Sequence, residues 1–246
     1  MPVLKPFKRT CRQLADGSYQ NSGNGRYVRH PQFATAPQQY LRAFEIVQKD
    51  LLELFDYVEP SDINKPCYSY RIHELHTRAC IEVEANCTAI LSENGYAKAG
   101  DWNMGDYKKL DATHHLSSYR VRLPTWRGAD HTRAPFAEWR TSGQLPWYQA
   151  YNQAKHSRHE NFPLSNFGVL LDSVCGLVAL LASQFINDDF GQTYHVGEDG
   201  PGDGFEYGIG GYFLVKFPDD WPATERYSFE WQKLKNDPNP IQTLTF

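Results

Sequence analysis

The chain reads as a mainly α protein: a four-helix up-down bundle carrying a long insertion and a small antiparallel β appendage at its C-terminus. Three observations predict this. An apolar run near residues 167–185 has helical period, two amphipathic stretches of helical length precede it, and alternating aromatic stretches close the chain.

Residues 1–35 come first, rich in glycine and polar groups around Gly17, Gly23, Gly25 and Pro31. They read as an irregular N-terminal arm. Residues 36–187 form the helical domain. In it, Tyr40, Phe44, Val47, Leu51 and Val58 keep the spacing of a helix over 38–58, ended by Glu59-Pro60. Tyr68, Ile72, Leu75, Ala79, Val83, Cys87 and Ile90 mark a second over 67–93, with Asn94-Gly95 as its stop. Residues 95–145 are an insertion, with a short helix at 104–110 and a strand at 118–123. Its Trp102, Trp126, Phe136 and Trp139 are expected to dock it.

Pro146 suits the first turn of a third helix ending near His159 or Glu160, since Pro163 marks the next start. The fourth helix carries Phe167, Leu170, Leu171, Val174, Leu177, Val178, Leu181 and Phe185. Asp172, Ser173, Ser183 and Gln184 lie inside this run, and a mid-bilayer carboxylate costs about 3 kcal/mol. The run therefore reads as the core of a bundle, not a membrane span. Residues 188–246 form a β-rich extension, with strands expected at 212–217, 227–231 and 241–246.

Composition narrows the function. A net charge of −4 argues against a non-specific nucleic-acid coat, yet residues 107–159 carry nine Lys/Arg against three Asp/Glu. That basic middle fits either a local anion site or arginines (Arg120, Arg122, Arg127, Arg133, Arg140) paired with the acidic helices. Five cysteines without a CxxC pair argue against a disulfide framework and a structural zinc site. With no apolar leader at the N-terminus, a cytoplasmic location is expected.

Several motifs fall short of chemistry. His73-Glu74-Leu75-His76 is one residue shorter than a zinc-protease HExxH, so surface or packing histidines are expected and no metal. Gly200–Gly211 precedes a strand, not a helix, so it reads as turns. Glu198, Asp199 and Asp203 lack EF-hand spacing.

The one dense constellation is on the third helix. Asn152, His156 and His159 lie four and three apart, beside a stripe of Tyr151, Lys155 and Arg158. Two imidazoles, an ammonium, a guanidinium and an amide suit a phosphate better than a metal. The plain alternative is a solvated helix end whose basic groups complement the macrodipole.

Tyr151-Asn152-Gln153-Ala154-Lys155-His156, then Arg158 and Phe162 and a long apolar helix, resembles the motif helix of the HEPN superfamily. The resemblance covers roughly residues 38–187. It implies a dimerising four-helix bundle and, in active members, a metal-independent ribonuclease with no cofactor. Asn152 and His156 stand where the family has Asn and His, and Tyr151 stands at the family's Arg, so Lys155 or Arg158 would supply the cation.

On this reading His156 acts as general base or acid, with one His from each subunit, and His159 is a second candidate acid. Lys155 and Arg158 stabilise the phosphorane, Asn152 orients His156 or a phosphate oxygen, and Tyr148 and Tyr151 stack on a splayed base. The expected partners are RNA or a nucleotide, a second copy of the chain, and an antitoxin or other protein. The runner-up is a non-catalytic module that binds nucleotide, RNA or protein through the same face. A third reading is a structural protein that docks through the aromatic insertion and C-terminal strands.

Overall fold

The computed structural model describes residues 2–141, 143–191 and 201–246. Glu198 and Asp199 of the acidic turn lie outside the described residues. The main elements in chain order are α1 (Pro37–Phe55), α2 (Tyr70–Glu93), α3 (Met104–Tyr107), α4 (Lys109–His114), β1 (Arg120–Arg122), β2 (Thr132–Arg133), α5 (Pro146–His156), α6 (Arg158–Asn161), α7 (Phe167–Phe185), β3 (Glu206–Tyr207), β4 (Leu214–Lys216) and α8 (Trp231–Leu234). The chain is mainly α with a small antiparallel sheet.

Helix α7 is the centre. It packs against α1, α2 and α5 on its helical sides and against β1 and β4 on the other. Asn166 starts it by accepting from the Val169 amide at 3.2 Å, leaving one fewer orphan donor at the first turn. Every residue from Phe167 to Phe185 is buried except Val169 and Asp172. The helix is long and apolar enough to cross a bilayer, but its surface is covered by the rest of the chain. Asp172 is held by Arg133 at 3.1 Å. Burial pushes its carboxyl up, and the guanidinium opposes that shift.

Close approach has a local cause at Gly176. A Cβ there would stand 3.2 Å from the Trp147 ring and 3.6 Å from Phe136. The insertion lays Phe136 edge-on to Trp147, and the Trp147 indole N–H donates to the Pro135 carbonyl at 2.8 Å. The insertion is thereby docked by its own aromatics against α7.

The sheet differs from expectation. Its order is β2-β1-β4-β3, all antiparallel, so two strands come from the insertion and two from the C-terminal segment. Val121 faces Val215, and both are fully buried. The sheet is thus a seam between segments rather than a C-terminal appendage.

The strands expected at 227–231 and 241–246 do not form. Tyr227 makes isolated parallel bridges to Val3 and Leu14, Gln242 bridges Phe7, and Trp231 opens α8. The N-terminal segment takes the edges that a strand partner would need. The Tyr227 hydroxyl accepts from the Phe7 amide at 3.0 Å and donates to the Thr10 carbonyl at 2.8 Å. The aromatic alternation at Tyr227, Phe229 and Trp231 instead surrounds Tyr27 edge-on.

Arg9 ties this segment to the helices. Its side chain is 0% exposed. It donates to Glu93 at the end of α2 (2.8 Å), to Gln184 at the end of α7 (3.0 Å) and to the Thr35 carbonyl (2.7 Å). Gln184 in turn donates to Asn86 at 3.0 Å, which accounts for two polar groups inside the core. Arg9→Ala leaves the buried Gln184 oxygen and the half-buried Glu93 carboxylate without this donor. The expected cost is about 3 kcal/mol, or roughly 10 °C in melting temperature. A thermal melt reads it directly, and a change under about 2 °C would refute the latch.

Candidate functional site

Helix α5 has two faces. Trp147, Tyr148, Ala150, Tyr151 and Ala154 are buried, while Gln153, Lys155 and His156 are exposed. The helix stops at His156, because Ser157 takes a non-helical backbone (φ −140°, ψ 61°). Arg158 and His159 therefore belong to α6, and the expected continuous face of Asn152, His156 and His159 is broken after His156. The break swings Arg158 back toward the start of α2.

The result is a surface pocket of about 400 Å³ lined by His73, Thr77, Ala154, Lys155, His156 and Arg158. Of the residues picked out in the sequence, it gathers Lys155, His156 and Arg158. Asn152 and His159 do not line it.

Tyr148 and Tyr151 do not offer stacking faces. They are 8% and 3% exposed. The Tyr148 hydroxyl donates to Glu84 at 2.6 Å, and burial first, then that carboxylate, pushes its pKa up. Tyr151 lies edge-on to His76, and its hydroxyl accepts from Lys155 at 3.3 Å. That bond is the leading cause of the raised Lys155 pKa, so the ammonium stays charged at neutral pH.

The sequence reading missed His73. It reaches the pocket from α2, more than eighty positions away in the chain. Its Nδ1 is buried and has no hydrogen-bond partner among the described residues. Burial, then the nearby Arg158 guanidinium, holds its pKa below the ordinary histidine value. His73 is therefore neutral at pH 7, and with Nδ1 turned inward it can meet a ligand only through Nε2. Its neighbour His76 is a satisfied core histidine: Nε2 donates to the Trp147 carbonyl at 3.0 Å and Nδ1 accepts from Ser165 at 2.7 Å.

The pocket's positive charge is local. The insertion's arginines are engaged elsewhere: Arg122 with Asp203, Arg127 with Glu59, Arg133 with Asp172 and Arg140 with Asp220. Arg120 donates to the Ser117 and Tyr119 carbonyls. Of the two explanations for the basic middle of the chain, pairing holds for four of these five arginines, with Arg133 alone meeting a helix carboxylate and the other three meeting loop carboxylates. Among the described residues, Lys155, His156 and Arg158 make no ion pair with a carboxylate, so the Lys155 ammonium and Arg158 guanidinium remain available to an anion.

Among the described residues no group of three or more His, Cys, Asp or Glu side chains converges. The five cysteines are free, four of them buried.

Compared with known protein families, characterised proteins and solved structures, the chain matches none.

Proposed function

We propose that the chain acts on RNA through this pocket, as a metal-independent endoribonuclease with the four-helix up-down architecture and dimeric habit of the HEPN superfamily. One observation carries the reading: two imidazoles from different helices line one pocket with an ammonium and a guanidinium. General base and general acid need separate groups, and His73 and His156 supply both from one subunit. The partner subunit's histidine, which the sequence reading required, is then not needed for this role.

The step is an internal phosphoryl transfer. Neutral His73 takes the proton of a ribose 2′-hydroxyl, and the 2′-oxygen attacks the adjacent phosphorus. Lys155 and Arg158 stabilise the charge that builds on the equatorial oxygens. His156 protonates the leaving 5′-oxygen as the P–O5′ bond breaks. The products are a 2′,3′-cyclic phosphate and a 5′-hydroxyl. Two imidazoles carry both proton transfers, so the step needs no metal.

Cytoplasmic action in a toxin or defence setting, held in check by a protein antitoxin, fits such an activity. The test is a urea gel of total RNA and tRNA incubated with wild type and His156→Ala, with and without EDTA. Wild type is expected to cut in both conditions and the variant in neither. Loss of cutting with EDTA, or equal cutting by both proteins, overturns the scheme.

One observation favours a second reading. At the position of the family's Arg, Tyr151 is buried and engaged with Lys155. With one cation fewer, the pocket would hold an RNA phosphate or nucleotide without cutting. Binding of RNA that survives in the absence of any cleavage would establish that module.

A further inference from the structure

Among the described residues Tyr57 is the most exposed ring, at 81%, and the next two share one aromatic neighbour. Tyr70, the first residue of α2, is 70% exposed, and Tyr68, two residues earlier, is 50% exposed. Both pack on Phe162, with centroids 4.8 Å and 5.6 Å away. Phe162 also touches the His73 ring at 5.6 Å. Arg158 stands over Tyr70, its guanidinium carbon 6.0 Å from the ring centroid. Phe162 and Arg158 thus join the aromatic group directly to the pocket that His73 and Arg158 line.

We infer that Tyr70 and Tyr68, braced by Phe162, form a stacking platform for an unpaired base, beside the phosphate held by Lys155, His156 and Arg158. This rests on the proposed RNA-acting reading of the pocket and names its substrate class: single-stranded RNA. Exposed aromatics cost hydration, and a monomer gains nothing from keeping two tyrosines out on a helix start. A cation beside rings with open faces matches a nucleotide, which presents an anion and a π-face side by side. A duplex presents its phosphates but hides its base faces, so the platform selects unpaired strands.

Two carboxylates lie on the same segments: Glu74 pairs with Arg71 at 3.7 Å, and Glu160 accepts from the Ser157 hydroxyl at 3.4 Å. Local structure agrees with the assignment. Ser69 between the two tyrosines caps α2 by accepting from the Ile72 amide at 3.2 Å. The cap fixes the chain so that the flanking rings project from one helix start.

The experiment uses the whole chain and a fluorescein-labelled single-stranded oligonucleotide with 2′-O-methyl riboses, which cannot be cut by 2′-hydroxyl attack. Anisotropy titrations compare it with the same sequence as a duplex and with an abasic strand of equal charge. The variants are Tyr68→Ala/Tyr70→Ala, Tyr68→Phe/Tyr70→Phe and Lys155→Ala. Both tyrosines are exposed, so the fold does not depend on them.

The alanine pair is expected to weaken single-strand binding about 10-fold or more, while leaving binding of the abasic strand unchanged. The phenylalanine pair keeps the rings and is expected to bind as wild type. Lys155→Ala should weaken both ligands alike. Wild-type affinity in the alanine pair, an equal loss for the abasic strand, or equal binding of the duplex overturns the platform. Absence of any binding overturns it together with the pocket reading. Ring-dependent binding without cleavage of natural RNA leaves the platform standing and removes only the nuclease. Cleavage with no dependence on the rings does the reverse.

Discussion

Acidification is expected to destabilise this protein by several kcal/mol, with His76 and His114 as the principal cause. Both are fully buried. Burial holds the His76 pKa down at about 4 and the His114 pKa at about 3. Each ring donates Nε2–H to a carbonyl, His76 to Trp147 at 3.0 Å and His114 to Arg9 at 3.1 Å. A carbonyl only accepts, so the tautomer is fixed by its partner. The other nitrogen faces a hydroxyl, Ser165 for His76 and Thr113 for His114.

The direction follows from which state binds protons. Above about pH 6.5 each histidine is neutral folded and unfolded, and stability does not depend on it. As pH falls, the unfolded chain takes up protons that the folded one refuses, so the unfolded state gains. The loss runs from about pH 6.5 down to the folded values and then levels off, on the order of 3 kcal/mol for each group. Urea melts across this window are the measurement. His76→Gln/His114→Gln keeps polar groups in place without a titration near neutrality, and its stability should fall much less on acidification. A parallel fall in both proteins would assign acid sensitivity to the carboxylates instead.

What could be read from the sequence was what depends on nearby residues. The period of Phe167 through Phe185 gives α7 because burial on nearly all sides needs no knowledge of what covers it. The helices expected over 38–58 and 67–93 form as α1 and α2, but α1 ends at Phe55, short of the stop at Glu59-Pro60, and α2 starts only at Tyr70, where Ser69 caps it. Of the three C-terminal strands expected, the one at 212–217 forms as β4, and the other two were not legible in this way. Tyr227 and Trp231 alternate as a strand would, but the N-terminal segment reaches them first, across more than two hundred residues.

The same division holds at the site. Lys155, His156 and Arg158 form one dense run, and the sequence displays it. The buried face of α5 was missed although its signal is local: Trp147, Ala150, Tyr151 and Ala154 repeat at three and four, a core-facing period, where stacking tyrosines are expected. His73 was not readable. Its role depends on the break at Ser157, which turns Arg158 toward α2, and no local pattern announces that.

His73 is also where the proposed chemistry is most exposed to test. As general base it must be neutral, and burial with the Arg158 charge keeps it so below the ordinary histidine range. The rate of RNA cleavage should therefore fall on the acid side as pH drops below that range, one proton per active site. His73→Ala is expected to slow cleavage about 10²- to 10⁴-fold and to abolish this acid limb, because the group that titrates is gone. A structural role would lower activity without moving the limb. Added imidazole should restore part of the rate in His73→Ala but not in Lys155→Ala, whose missing group is a charge rather than a base. Arg158→Gln gives an independent check. Removing the guanidinium lets His73 hold its proton to higher pH, so the acid limb should shift upward while the rate also falls. A limb that stays in place in Arg158→Gln would show that Arg158 does not set the His73 titration and leave burial as its cause.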